Sequence, residues 1–223
     1  MCGRFVIAAD STALQQAFDL ASVPELTPRY NVAPTQLAPV IINEDGGREL
    51  VMYRWGLVPS WAKDLAMGAK MINARSETIE EKPSFKHAFR RRRCLVPANG
   101  FYEWKAEGTK KMPRYIHLKD VPLFAMAGLW ETWHDVEKRP IHTFTILTTG
   151  ANDFMRQFHE RMPVIVRPAD YGLWLDQQAP TEPLRALLTQ YDPNAMTAYE
   201  VSTAVNKPVF DGPELIEPLA RLL

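Results

Sequence analysis

Residues 93–104 read RCLVPANGFYEW, which is two strand-like runs separated by Asn99-Gly100. An Asn-Gly pair favours a tight turn, because both residue types tolerate backbone conformations that other residues avoid. Further strand-like runs follow at residues 114–118, 122–130 and 142–148. The middle of the chain is therefore predicted to consist mainly of β-strands.

The flanking regions add one hairpin and several short helices. Residues 37–42 and 50–55 flank Asp45-Gly46-Gly47, a typical hairpin signal. Residues 4–8 predict a strand, and Ser11 is predicted to cap the helix that follows it. Helical patterns occur at residues 11–18, 84–92, 152–158, 169–174 and 182–188. Strands and helices do not alternate regularly, so we predict one α+β domain over residues 1–223, built around a curved, largely antiparallel sheet with peripheral helices.

Composition excludes several classes of protein. Lys+Arg and Asp+Glu both number 26 among the 223 residues, so any affinity for nucleic acid must come from a local patch of charge. The only cysteines are Cys2 and Cys94, too few for a disulfide framework. No metal-ligand spacing, phosphate loop, signal peptide or membrane span is recognisable. We expect a cytoplasmic protein without a cofactor or a membrane partner.

Cys2 stands at the second position, directly before Gly3 and Arg4. A small second residue normally permits enzymatic removal of Met1, which would leave Cys2 with both an α-amine and a thiol. An α-amine titrates near about 7.7–8.0 and a thiol near about 8.5, so both are partly nucleophilic at neutral pH. Such an aminothiol condenses with an aldehyde to an imine and closes to a thiazolidine. Position alone favours the simpler alternative, an incidental small residue at a chain end.

Glu103 lies between two aromatic residues in the second strand-like run. Alternation along a strand puts Phe101 and Glu103 on one face, and Tyr102 and Trp104 on the other. A carboxyl group among aromatic side chains loses solvent, which raises its pKa and suits it to proton transfer. A solvent-facing strand glutamate is an equally good interpretation of the pattern.

Two further polar segments contain candidate residues. Asn73 begins a polar run after Met71-Ile72. Side chains at the end of a buried strand often enter a pocket. A turn followed by the start of a helix fits the pattern as well. His159 lies close to Arg161, and histidine is the natural acid or base near neutral pH. An isolated histidine is more often structural.

Taken together, these segments resemble the SRAP family, named for "SOS response-associated peptidase" and described as abasic-site processing proteins. The segments that carry the resemblance are residues 1–5, 29–35, 55–59, 72–78, 93–104 and 159–163. They occur in the family's order within residues 1–210, and the region after about residue 168 is generic. The resemblance implies a pseudo-barrel fold and a monomeric protein that binds single-stranded DNA.

The resemblance also implies a reaction and a set of site residues. Cys2 would crosslink to abasic sites, Asn73 would orient it, Glu103 would move protons, and His159 would assist sugar opening, crosslink reversal or strand cleavage. The crosslink would shield the lesion during the DNA-damage response. The residues expected to contact DNA are Arg4, Asn31, Pro34, Trp61, Arg75, Thr148 and Arg161.

Two alternatives remain open from the sequence. An N-terminal nucleophile near an acid or base also suits a cysteine peptidase, including one that acts on itself. The combination of arginines and six tryptophans also suits a non-catalytic reader of modified or damaged DNA. We expect an enzyme, with lyase-type chemistry on DNA as the first hypothesis and peptide hydrolysis as the second.

Overall fold

Two β-sheets form the framework of the computed structural model, which describes residues 2–44 and 46–219. The strands are Phe5–Ile7 (β1), Arg29–Val32 (β2), Leu37–Glu44 (β3), Gly47–Trp55 (β4), Asn73–Arg75 (β5), Arg93–Ala98 (β6), Gly100–Glu107 (β7), Lys110–Leu118 (β8), Phe124–His134 (β9), Pro140–Gly150 (β10), Arg161–Pro163 (β11), Ile165–Val166 (β12) and Met196–Glu200 (β13). The α-helices are Ser11–Phe18 (α1), Pro83–Arg91 (α2), Tyr171–Leu175 (α3) and Thr181–Ala186 (α4).

Five strands of the larger sheet close into a barrel. β4, β3, β6, β9 and β10 pair antiparallel in that order. The ring is completed where Phe144 of β10 lies beside Trp55 of β4 in parallel orientation. β5 adds to β10, also in parallel, and β11 and β12 extend the sheet from β10 and β9. Closure leaves few unpaired strand edges, and it packs the apolar side chains of these strands into one main core.

The second sheet is antiparallel, in the order β13-β8-β7-β1-β2. One face of this sheet contributes Phe5, Phe101 and Ile116 to the main core. The opposite face is covered by residues 201–216, which we call the C-terminal strap. The small core under the strap contains Val6, Tyr102, Tyr115, Val201, Val205 and Leu215. The strap therefore packs against β1 and β2, two strands formed near the amino end.

Asn99 and Gly100 form the corner at which the chain passes from the barrel to the second sheet. Asn99 Oδ1 accepts a hydrogen bond from Ala8 N at 2.7 Å, and Asn99 Nδ2 donates one to Pro122 O at 2.8 Å. A Cβ atom on Gly100 would lie 2.5 Å from the Tyr115 ring, so any larger residue would displace that ring. The predicted turn is thus a junction that fixes β1 against β7.

The predicted α+β class, the largely antiparallel barrel-like sheet and the peripheral helices are confirmed. The predicted hairpin is also present, although Asp45 of its turn lies outside the described residues. Two expectations were wrong in detail. The helix cap is Asp10, whose Oδ1 accepts from Ala13 N at 2.7 Å, and Ser11 is the first helical residue. The helix expected at residues 152–158 is only the 3-10 turn Met155–Gln157, because the chain must extend again to form β11.

None of the helices in the described ranges has the length and apolar character that crossing a bilayer requires. The longest of them, α2, has nine residues.

Candidate active site

Cys2 lies just before β1 and is fully buried. Its carbonyl oxygen accepts a hydrogen bond from Asn73 Nδ2 at 2.9 Å, and its thiol points to the carbonyl oxygen of Arg4 at 3.9 Å. Burial raises the pKa of the Cys2 thiol, and the negative charge of Glu103 raises it further. The thiol is therefore held in place and kept protonated, so it needs a base before it can react as a thiolate.

Glu103 supplies a carboxyl group beside this thiol. Tyr102 N donates to Arg4 O at 3.0 Å, and this pairing of β7 with the amino end brings Glu103 alongside the Cys2 segment. The side chain is 3% exposed, and burial raises the pKa of Glu103. The predicted alternation is confirmed, since Phe101 joins the main core and Tyr102 joins the core under the strap. A carboxyl group with a raised pKa is suited to exchanging protons near neutral pH.

Asn73 reaches Cys2 because β5 is added to β10 in parallel, with Asn73 beside Ile146. The short polar run is thus a strand followed by the 3-10 turn Ser76–Thr78. Asn73 Oδ1 is buried and accepts no hydrogen bond from the described residues. One end of the amide therefore holds the Cys2 backbone, while its other end remains available as an acceptor at the site.

His159 lies in the turn between β10 and β11. Its Nδ1 accepts a hydrogen bond from Arg161 N at 2.9 Å, so the neutral ring carries its proton on Nε2. Burial lowers the pKa of His159, and the positive charges of Arg161 and Lys111 act in the same direction. At neutral pH the ring is uncharged and presents Nε2–H as a proton donor.

Arg161 joins His159 to the strand that carries Asn73. Its guanidinium forms a two-pronged ion pair with Glu77, at 2.6 and 2.8 Å, and Nη2 also donates to Thr148 O at 2.6 Å. Thr148 lies beside Arg75 in the pairing of β10 with β5. Arg75 is exposed, and its side chain forms no hydrogen bond within the described ranges. These contacts place His159, Arg161 and Arg75 at the same end of β10.

Two of the residues predicted to contact DNA are buried in the structure. Asn31 has an exposed fraction of 0%, and its Nδ2 is within 3.2 Å of the carbonyl oxygens of Val205, Lys207 and Phe210. Thr148 is equally buried and lies against Arg161. In this arrangement both side chains position neighbouring residues and reach no solvent. Arg4 is half-buried and donates to Val205 O at 3.0 Å, so it also belongs to the contact with the strap.

Pro34 and Trp61 lie on loops outside the sheets. Pro34 occupies a turn between β2 and β3, next to Thr35, which has a φ of +71°. Trp61 is 59% exposed and lines a cleft of about 340 Å³ together with His87 and Arg92. No contact in the described residues joins either side chain to Cys2. Contact of Trp61 with DNA stays a prediction, since an exposed tryptophan ring can stack on an unpaired base.

The residues that attach the strap and support its base were not predicted from the sequence. Asp211 Oδ1 accepts from both Tyr30 N and Asn31 N at 2.6 Å, and Tyr102 Oη donates to Tyr30 O at 2.8 Å. Trp104 Nε1 donates to Asn206 Oδ1 at 2.7 Å. These pairs join positions that are more than seventy residues apart, so no local pattern marks them.

A family model described as SOS response associated peptidase (SRAP) matches residues 1–208. The chain belongs to the SRAP family. SRAP relatives include the abasic site processing protein YoqW of Bacillus subtilis, which is 46% identical and covers 97% of this chain and 99% of its own. The abasic site processing protein HMCES of Gallus gallus is 33% identical and covers 86% of this chain and 66% of its own. The crystal structure of a protein from Bacteroides thetaiotaomicron superimposes with a TM-score of 0.89 at 29% identity, covering 98% of this chain and all of the other.

Proposed function

We propose that this SRAP protein, once Met1 has been removed, binds single-stranded DNA and forms a covalent thiazolidine crosslink with abasic sites through Cys2. The observation that carries the proposal is the enclosure of Cys2 by Asn73 and Glu103, with the thiol fully buried and its backbone held at 2.9 Å. The names of the YoqW and HMCES relatives support the choice of lesion. Processing of abasic sites in DNA is the broader form of the same proposal.

The reaction matches an aminothiol to an aldehyde. The ring-opened sugar of an abasic site has an aldehyde carbon, which the α-amine of Cys2 attacks. Loss of one water gives an imine, and the sulfur then bonds to the imine carbon while the thiol proton moves to nitrogen. At pH 7 about 15% of an α-amine is unprotonated, against about 0.04% of a lysine amine, so the amino end is better suited by about 300-fold.

Glu103 and Asn73 have separate roles in these steps. Glu103 accepts the proton that leaves the amine or the thiol and returns it to the departing hydroxyl, a task for which its raised pKa is suitable. Asn73 holds the Cys2 carbonyl, and its buried Oδ1 can accept a hydrogen bond from the amine. Because the closed barrel fixes β5 and β10, the nucleophile is positioned before DNA binds.

His159 assists the sugar rather than the thiol. Opening the sugar ring requires a proton on the ring oxygen, and the neutral His159 ring presents Nε2–H as a donor. The same group can assist the reverse reaction or elimination of the neighbouring phosphate, which cleaves the strand. The lowered pKa of His159 keeps this form present at neutral pH.

The expected DNA contacts divide into direct and supporting residues. Arg75, which is exposed, and Arg4 and Arg161, which are half-buried, are suitable for phosphates beside the lesion. Pro34 and the exposed Trp61 would separate the lesion from a paired neighbour. Asn31 and Thr148 act through the residues they hold.

The test is a denaturing gel after incubation with single-stranded DNA that contains one abasic site. We expect a shifted band that resists detergent, and an intact protein mass that lacks one methionine. A Cys2→Ser variant keeps the amine and should give only an imine, which borohydride reduction traps. Absence of any stable adduct from the Met1-free protein would sink the proposal.

Peptide hydrolysis is the second candidate function, favoured by the family's description as a peptidase. A buried thiol next to a carboxyl group is compatible with attack on an amide. Turnover of a peptide library that is lost in Cys2→Ala would establish this activity beside, or in place of, DNA crosslinking.

A further inference from the structure

The C-terminal strap exposes a small apolar surface at residues 206–210, which we call the 206–210 loop. Val209 is 80% exposed and Phe210 is 45% exposed, while Lys207 between Asn206 and Pro208 is also exposed. Two neighbouring apolar side chains thus lie next to a cation at the surface, a combination that suits contact with a nucleotide. Lys207 forms no ion pair with any described residue.

The loop is held firmly despite its exposed side chains. Asn31 Nδ2 lies 3.1, 3.2 and 2.8 Å from the carbonyl oxygens of Val205, Lys207 and Phe210, so one buried amide holds the residue before the loop and two points within it. Asp211 closes its far end through two backbone N–H groups at 2.6 Å. These contacts hold the backbone, and they direct no apolar side chain inward. The loop is therefore organised to present Lys207, Val209 and Phe210 at the surface.

The loop is also joined to the amino-terminal segment that carries Cys2. Val205 O accepts from Arg4 Nη1 at 3.0 Å, and Arg4 lies two residues after Cys2. Asn206 Oδ1 accepts from Trp104 Nε1 at 2.7 Å, which fixes the loop to the strap-covered face of β7, opposite the face that carries Glu103. A strand of DNA whose lesion lies at Cys2 has to leave the site over one of the surrounding surfaces, and this surface offers an aromatic ring and a cation.

We propose that the 206–210 loop binds the unpaired nucleotide next to the lesion, with Phe210 stacking on its base and Lys207 contacting its phosphate. This inference rests on the proposed function, because it assigns a subsite to the same DNA strand. Aromatic stacking and a nearby lysine are the usual features of sequence-independent binding to single strands. A second copy of the chain is a poorer occupant, since a stable protein interface buries about 800 Å² per partner, far more than two side chains supply.

The first experiment measures binding of intact single-stranded DNA without an abasic site, by fluorescence anisotropy. Phe210→Ala should weaken binding by about 10-fold, and Phe210→Tyr should restore it, because a tyrosine ring still stacks. Lys207→Ala should reduce the slope of log affinity against log salt by about 0.7. Val136→Ala and Lys119→Ala are matched controls at other exposed positions and should change neither quantity.

The second experiment detects the stack directly. Two abasic oligonucleotides carry the fluorescent base 2-aminopurine on the 5′ or the 3′ side of the lesion. Binding should quench one of the two, and Phe210→Ala should remove that quenching. The thermal midpoint of each variant is measured alongside, so that unfolding is recognised.

The outcomes separate the subsite from the proposed function. Unchanged affinity, salt slope and quenching in both variants would overturn the subsite even if the wild-type chain crosslinks abasic DNA. Failure of Phe210→Tyr to restore binding would overturn the stacking role. A change in sedimentation without a change in DNA binding would assign the loop to self-association. Loss of crosslinking in the wild-type chain, with the loop effects intact, would overturn only the proposed function.

Discussion

The two cysteines of the chain share the same burial but have different surroundings. Cys2 and Cys94 are both fully buried, and burial raises the pKa of each thiol. Around Cys94 the neighbours are barrel strands, and Gly128 lies opposite it on β9. A Cβ atom added at Gly128 would lie only 2.7 Å from the Cys94 sulfur. Around Cys2 the neighbours are the Asn73 amide and the Glu103 carboxyl. Burial alone therefore makes neither thiol reactive, and the adjacent polar groups distinguish the two sites.

The largest effect should come from removing each sulfur in turn. Cys2→Ala should abolish the stable adduct with abasic single-stranded DNA, because no ring can close without the thiol. Cys94→Ala should leave the yield within about 2-fold, since its sulfur only fills space in the barrel. Denaturing gels of the two variants, run beside the wild type, measure both. Equal loss in both variants would mean that packing, not chemistry, explains the role of Cys2.

Removing the charge beside Cys2 should have the next largest effect. Glu103→Gln keeps the shape of the side chain but cannot accept a proton, so the rate of adduct formation should fall by about 100-fold. Single-turnover kinetics at pH 7 measures this rate. A rate equal to that of the wild type would remove Glu103 from the reaction and leave only Asn73 to distinguish the two thiols.

The same variant has a predictable effect on folding. Folding raises the pKa of Glu103, so the carboxyl group favours the folded state fully below its unfolded pKa of about 4.3 and less as pH rises through the folded pKa. Relative to Glu103→Gln, the wild type should therefore lose stability between pH 4 and pH 8. Thermal unfolding at several pH values tests the sign. A wild type that gains stability relative to Glu103→Gln as pH rises would contradict the prediction.

A change at the other thiol should affect stability and leave the chemistry intact. Gly128→Ala would place a methyl group against Cys94 Sγ and 3.0 Å from Val96 Cγ2, which should cost about 2 kcal/mol. Urea unfolding measures the loss, and crosslinking at a temperature where the variant is folded should equal that of the wild type. Combining Gly128→Ala with Cys94→Ala should recover part of the stability because the added methyl group then has space.

The smallest effect should come from the ion pair at the edge of the Cys2 site. Glu77 is 51% exposed, so Glu77→Gln should cost only about 0.5 kcal/mol at pH 7. The Arg161 guanidinium lowers the pKa of Glu77, so this contribution is present at neutral pH and is lost as pH falls through that lowered value. Urea unfolding at pH 7 and at acid pH checks both points. Glu77→Gln also removes the ion pair of Arg161, so the variant should bind DNA slightly more tightly than the wild type. Weaker DNA binding by Glu77→Gln would contradict that expectation.

Much of the fold could be predicted from local patterns. The hairpin of β3 and β4 follows from its glycine-rich turn, and the alternation along β7 predicts which face carries Glu103. The short strands β2, β5 and β13 were missed, because three to five residues of mixed polarity contain too little periodicity. The closure of the barrel by parallel pairing of β10 with β4 depends on residues about ninety positions apart, which no local pattern specifies.

The site was predicted unevenly for the same reason. Cys2, Asn73 and Glu103 were chosen from their chemistry and their resemblance to the SRAP segments, and the structure brings these three together. The position of Asn73 depends on β5 joining β10, which the sequence did not indicate. Asn31 was expected at the DNA, and in the structure its Nδ2 group donates to carbonyl oxygens inside the protein. A polar residue in a family segment can contact DNA or support the fold, and the burial of its side chain distinguishes these two roles.

The pairing of β1 with β7 also sets a time limit on maturation. Cys2 becomes fully buried only when Phe5 has paired with Phe101, about a hundred residues later in the chain. During synthesis at about 5–20 residues per second, the ribosome needs about 5 to 20 s to reach that partner. A methionine aminopeptidase has to bind Met1 and Cys2 in its own active site, and these residues are most accessible to it during this interval. Under the proposed function, the timing of this pairing during translation would then set the share of molecules that lose Met1.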